Sequence, residues 1–431
     1  MKDQLNSSFS LSVKYIHNEK NRITVSFLPS KELQPFFHYS NSFYAEYSEN
    51  IEEVPCSCAI IPFLVNILPI IWLTDAYLYI DIIDKSFYES IDSFKQGYID
   101  MYPMLSFNGH IKVSQIVDNT DFSSVNSGMM FSGGVDAFAT LLMHCEESPT
   151  PISVIGADIR LDDTEGIKNM TEHSNIALQY LSMKSPCFIS SNFRSFINEK
   201  RLDAFVKKSN DGWWHGFQHG IGLIGLTAPI AYTRKLSKIY IASSHTPNEN
   251  FTCASHPSID NNIRFCSTVI IHDQYENTRQ KKIAIISDYH RKTNKPVLLR
   301  VCWESRGGRN CCHCEKCLRT IYALYAEGEN PNDYGFKYTI PELIEASDKL
   351  RKKIPFIKEA KKVFWTDIQK RFGETQQYTN HEYLNWILNE DFNKRASCSM
   401  QLLFQLKNSY WYIKSVLRHL KHSLYGKQNC V

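Results

Sequence analysis

The 431-residue sequence predicts an α/β protein: a doubly wound parallel sheet with an amino-terminal α+β domain and a carboxy-terminal helical region. Three observations lead there. Between about residues 126 and 330, short apolar runs alternate with stretches of helical period, the pattern of strands joined by crossover helices. One such run, GMMFS, ends in Ser132-Gly133-Gly134 and breaks at once into the helical pattern VDAFATLLMHC. The chain is also too long for one ordinary core, so roughly two or three domains are expected.

Residues 1–125 alternate aromatic-rich apolar runs, such as RITVSFL and AYLYIDII, with turns. The helical pattern KSFYESIDSFKQGYIDMYP follows, and the polar stretch DNTDFSSVNSG (118–128) marks a boundary. The run AIIPFLVNILPIIWL (59–73) is apolar but falls short of the roughly 20 residues that span a bilayer. Pro62, Asn66 and Pro69 interrupt it, so it reads as buried core rather than a transmembrane segment.

In 126–330 the expected strands are GMMFS, ISVIGADI, CFISS, KIYIASS, STVIIH and VLLRVC. The helices between them are VDAFATLLMHC, TEGIKNMTEHSNIALQYLSM, GIGLIGLTAPIAYTRKL and YENTRQKKIAIISDYH. From 331 to 431 the pattern is helical. No acidic residue follows Asp391, whereas seven Lys or Arg do. YWYIKSVLRHLKHSL reads as a helical cap on the core; a basic face for anionic lipid or RNA is the alternative.

Hydrophobic content of 43% and charged content of 22% are those of a soluble globular chain. The formal net charge of +3 neither demands nor excludes nucleic acid. The amino terminus, MKDQLNSSFSLSVKYIH, lacks the apolar core of a signal peptide. Of 13 cysteines, five crowd into Cys302–Cys317, which suits a reduced, cytoplasmic chain with a metal site better than a secreted disulfide scaffold.

Glycines between a strand and a helix let backbone approach a ligand closely, and the free N–H groups of the helix start face an anion. A tight connection of small residues looks the same in sequence. The turn is neither G-x-x-x-x-G-K-[ST] nor G-x-G-x-x-G. It resembles the SGGxDS loop of the PP-loop ATP pyrophosphatases, adenine-nucleotide α-hydrolase-like enzymes. The match is Ser132, Gly133, Gly134 and Asp136, with Ala137 in place of the last serine. The resemblance implies an ATP site of Ser132, Gly133, Gly134, Val135 and Asp136. Asp136 would meet Mg²⁺, and Asp158, at the tip of the second strand, would lie near the adenosine.

Cys302, Cys311, Cys314 and Cys317 are spaced C-x8-C-x2-C-x2-C. Two overlapping C-x2-C pairs can wrap a tetrahedral ion, and four sulfurs with no open position describe structural zinc; an iron–sulfur cluster uses the same donors. Closing on Cys317-Leu318-Arg319, the motif is similar to the zinc motif of the 7-cyano-7-deazaguanine synthases, which are PP-loop enzymes. The resemblance covers about 126–330. It implies that ATP is cleaved to AMP and pyrophosphate to activate a carboxylate, such as a 7-deazaguanine acid, for an amine or ammonia.

Four further residues, from three segments, complete this reading. His219, at the start of an apolar helix, is a candidate substrate ligand. His256-Pro257-Ser258-Ile259-Asp260 stands where the synthases carry Tyr-Pro-Asp-Cys, which implies substrate contacts from His256 and Asp260. Arg279, in NTRQKKIA, stands for a lysine that holds departing pyrophosphate. The amine could belong to a protein docked on residues 1–125. Two alternatives stay open: an RNA-modifying PP-loop enzyme gripping RNA through its basic tail, and a nucleotide-binding protein of a defence or surface-polysaccharide system with turnover weakened by Ala137.

Overall fold

A computed structural model describes residues 9–400, except 39, 121–123, 250, 305–306, 377–380 and 398–399. The basic helix expected at 410–424 lies outside the described residues. The strands are β1 (Ser10–Glu19), β2 (Arg22–Pro29), β3 (Ser42–Tyr47), β4 (Tyr77–Asp84), β5 (His110–Val117), β6 (Ser127–Met130), β7 (Thr150–Ile155), β8 (Cys187–Ser191), β9 (Lys238–Ala242), β10 (Arg264–Phe265) and β11 (Thr268–Asp273). They form one 11-stranded sheet in the order β10-β11-β9-β6-β7-β8-β3-β2-β1-β4-β5.

Within it, β11, β9, β6, β7 and β8 are all parallel. In chain order the first of these strands, β6, is central, with two later strands on either side. That is the doubly wound order, and it reverses between β6 and β9. Ligands in such sheets bind outside the carboxyl ends of the strands beside the reversal.

Alternation along β9 shows the two faces. Tyr240 packs among Val135, Phe138 and Ile283, whereas Ile239 and Ile241 pack with the helices on the other side. The first face carries helices Val135–Met143 and Arg279–Thr293, which pack on each other. The second carries His219–Leu226 against Ile61–Leu73. Ile61–Leu73 is buried along nearly its whole length, as the 59–73 run predicted. Among the described residues, no helix is long and apolar enough to cross a membrane.

The structure differs from the sequence expectations in three places. The boundary near 125 does not separate two cores: β3 pairs with β8, so the amino-terminal strands extend the same sheet, and one hydrophobic cluster contains residues from both sides of it. VLLRVC is not a strand of the sheet. It runs past the glycine turn instead, and the Arg300 N–H donates to the Gly133 carbonyl at 2.7 Å. The apolar run from His219 is two helices, His219–Leu226 and Ala228–Arg234, because Pro229 sits in the first turn of the second.

Gly97, in the amino-terminal helix Lys85–Met101, shows how closely the halves meet: a Cβ there would lie 2.5 Å from the Ser258 carbonyl oxygen. Backbone cannot swing aside as a side chain can. Gly97→Ala is therefore expected to cost about 1–3 kcal/mol. In urea, followed by circular dichroism and by tryptophan fluorescence, both probes should shift together as one transition.

Candidate functional site

The crevice opens at the carboxyl ends of β6, β7 and β9, beside the reversal. Ser132, Gly134 and Asp136 line it from the turn after β6, Asp158 from the segment after β7, and Ser244 from the loop after β9. Gly133 holds φ +75°, which few side-chain-bearing residues tolerate. Gly134 is the extended N-cap of Val135–Met143 and offers no side-chain cap, so the first-turn N–H groups are left for a ligand. Ser132 Oγ accepts from the Gly134 N–H at 3.3 Å.

Asp136 stands in that first turn. Arg279 Nη1 donates to its Oδ2 at 2.7 Å, and Lys282 Nζ lies 3.7 Å from Oδ1. Burial pushes its carboxyl up, but Arg279, Lys282, Lys316 and Arg319 overcome this and hold it below the usual carboxylate range. Oδ1 is buried and makes no hydrogen bond. That lone pair could take part in holding a divalent cation.

Cations outnumber carboxylates here. Arg279, Arg300 and Lys316 line the crevice with Asp136 and Asp158, and Lys282 lies just behind. Lys282 is 1% exposed and donates to the Ser243 carbonyl at 2.6 Å; burial lowers its pKa, which Asp136 partly restores. Arg300 is also buried, its Nη2 donating to the Ser132 carbonyl at 3.0 Å. Among the lining residues three cations face two carboxylates, an excess that an anion would complete.

Sequence reasoning found Asp136 and Arg279 but missed Lys282, Arg300 and Lys316. Lys282 stands one position short of a helical turn after Arg279, on the same face, and that spacing was the available signal. Arg300 and Lys316 carried none, because only the fold brings 300–316 beside residue 133.

The four spaced cysteines converge. Their sulfurs lie within 4.8 Å of one another, with Cys302–Cys314 and Cys311–Cys317 both at 3.9 Å. A tetrahedron of sulfurs about 2.3 Å from an ion has edges of roughly 3.8 Å. The Cys314 N–H points to Cys311 Sγ at 3.3 Å, and the Cys317 N–H to Cys314 Sγ at 3.4 Å. These donors suit thiolates, and the cluster could hold a metal such as zinc. His313 is exposed and bonded to the Cys311 carbonyl, and Cys312 is buried beside the cluster without joining it. A second grouping, Cys58, Asp84 and Cys266, lies in the core. Asp84 is already engaged there, accepting from Phe87 N, Cys266 N and Asn119 Nδ2.

His219 lines the crevice, its ring edge-on to Trp214 at 5.0 Å. His256 and Asp260 do not. His256 caps the short helix Pro257–Asp260, with Tyr275 Oη 3.2 Å from its Nε2. Asp260 is fully buried, its Oδ2 2.7 Å from His272 Nδ1 and accepting from Ser255 Oγ at 2.9 Å. They brace the loop that presents Ser255 to the crevice; His-Pro at the head of a helix is a capping signal that the substrate reading overlooked.

No family model, curated protein or solved structure matches the chain.

Elemental analysis of the purified protein should find one thiolate-bound metal ion per chain, absent from Cys314→Ser, which should lose stability on the order of several kcal/mol. His173 lies beside Gly133, and burial and then Arg300 lower its pKa from 6.5 to about 4. As pH falls, the unfolded chain takes up this proton first. Stability is therefore complete above about pH 6.5 and declines toward pH 4, by up to about 3 kcal/mol. Urea midpoints across that range should fall less steeply in His173→Gln.

Proposed function

We propose that the chain is an ATP-dependent adenylating enzyme of the PP-loop type, similar to the 7-cyano-7-deazaguanine synthases. It would cleave ATP to AMP and pyrophosphate to activate a carboxylate for attack by an amine or ammonia. The observation that carries this reading is the cation-rich crevice at the strand-order reversal, entered by an uncapped helix start. Such a site suits a polyphosphate beside a small organic group.

In this reading the N–H groups after Ser132 and the guanidinium of Arg279 hold the β- and γ-phosphates. Mg²⁺, held partly by Asp136, supplies further charge neutralisation. A carboxylate oxygen of the substrate attacks the α-phosphorus, and pyrophosphate leaves with the bridging oxygen. Arg279, Lys282 and Lys316 stabilise the charge that builds on it. The amine nitrogen then attacks the acyl carbon, and AMP departs. In this reading Asp158 meets the adenosine end, and His219 and Trp214, which line the same crevice, meet the acid. Zinc in the cysteine cluster would act structurally, since four thiolates leave no open position.

Pyrophosphate release from Mg²⁺-ATP, with and without 7-carboxy-7-deazaguanine and ammonium, tests this directly. Release should depend on the acid and fall at least about a hundredfold in Asp136→Ala. Ala137→Ser should tighten ATP binding by about 1.5–3 kcal/mol, the value of a charge-assisted hydrogen bond. ATP binding without release under any of these conditions would instead favour a nucleotide sensor.

A further inference from the structure

Three of the four clustered cysteines are sealed from water and the fourth is not. Cys302 and Cys314 are 4% exposed and Cys317 is fully buried, whereas Cys311 is only half-buried. Cys311 also lines a cavity of about 620 Å³ between its own loop and the helix Ile340–Arg351. Glu345 and Lys349 line that cavity from the helix, and both side chains are well exposed, so it opens to water. The cavity is separate from the cation-rich crevice, with which it shares no lining residue.

Exposure of a thiolate decides which cysteine meets an oxidant first. Behind Cys311 a second sulfur is within reach: Cys317 Sγ lies 3.9 Å from Cys311 Sγ. Cys312, the chain neighbour, is 6% exposed; its Sγ lies 3.8 Å from the Asn310 carbonyl and outside the group of four. Cys317 is the third residue of the helix Glu315–Ala326, and the second is Lys316, which lines the crevice. Sulfur also caps that first turn, since Cys314 Sγ accepts from the Cys317 N–H at 3.4 Å. One helical turn thus joins the cluster, open on the cavity side, to a cation of the crevice.

We propose that Cys311 is an oxidation site for small hydroperoxides, and that its disulfide with Cys317 expels the metal ion and shifts the turn carrying Lys316. The Cys311 sulfur attacks the hydroxyl oxygen of the peroxide. The O–O bond breaks, and hydroxide, or the alkoxide of an organic peroxide, leaves with the electron pair. The Cys317 thiolate then attacks the sulfur of this sulfenic acid; an S–S bond forms, the S–O bond breaks and hydroxide departs. Two thiolates have lost two electrons, the peroxide has gained them, and both leaving groups take protons from water. An ion left with Cys302 and Cys314 keeps half its donors and dissociates. The proposal needs a metal in the cluster but is independent of the adenylation reading.

Hydrogen peroxide added to the zinc-loaded full chain, with dimedone to trap sulfenic acid, tests the site without any substitution. Peptide mapping should place dimedone on Cys311 ahead of Cys302, Cys314 and Cys317. Without dimedone, a non-reducing tryptic digest should join peptide 310–316 to 317–319, because Lys316 separates Cys311 from Cys317. A colorimetric chelator should record zinc release in step with that disulfide, and Cys312→Ser should behave as wild type. Hydrogen–deuterium exchange at the amides of 316–318 should quicken at least about tenfold after oxidation. Dimedone on another cluster cysteine before Cys311 would overturn the proposal. So would peptides 310–316 and 317–319 left unlinked, zinc retained by the oxidised chain, or a chain that takes up no zinc. Unchanged exchange in a chain that has gained the disulfide and lost its zinc would overturn the link to Lys316.

Discussion

The contact on which the site depends is the carboxylate of Asp136 held between Arg279 and Lys282. It joins the first turn of the helix after β6 to the first turn of Arg279–Thr293, so two helices that pack along one face also meet at their starts. A lone buried carboxylate would be costly, and so would a lone buried lysine. Together they are tolerable, but the surrounding cations exceed what Asp136 and Asp158 neutralise. The fold holds a deficit of negative charge in the crevice beside the strand-order reversal.

The cysteine cluster contributes to that arrangement at a distance. Cys302 lies two residues beyond Arg300, and Cys314 caps the helix Glu315–Ala326 that carries Lys316 and Arg319. Closing four sulfurs on an ion would fix both segments and so fix two crevice cations. Arg319, stacked on Phe364 at 4.3 Å and 3.4 Å from Glu315, ties the same helix to the carboxy-terminal layer. The amino-terminal strands act from the other side. Tyr102 reaches Asp211, and Gly97 lets the Lys85–Met101 helix press on the loop holding Ser255.

Sequence patterns revealed what local chemistry determines. The glycine turn, the C-x2-C pairs and the strand–helix alternation are short-range signals, and each led to a residue found at the crevice or in the cluster. Long-range pairing was not legible. Nothing local says that β3 adds to β8, that VLLRVC leaves the sheet to contact Gly133, or that Lys316 arrives beside Asp136. His256 and Asp260 show the opposite error: a loop at a strand end was expected to face the ligand, but a capping histidine and a carboxylate bonded to His272 turn inward, and of that loop Ser255 lines the crevice instead.

A crystal structure of the protein soaked with α,β-methylene-ATP and Mn²⁺ would test the central claim most directly. The account predicts β- and γ-phosphates against the N–H groups of Gly133 to Asp136, Arg279 turned from Asp136 toward them, and an anomalous manganese peak on Asp136. Phosphates bound elsewhere, or a crevice left empty with the Asp136–Arg279 pair intact at saturating nucleotide, would contradict it.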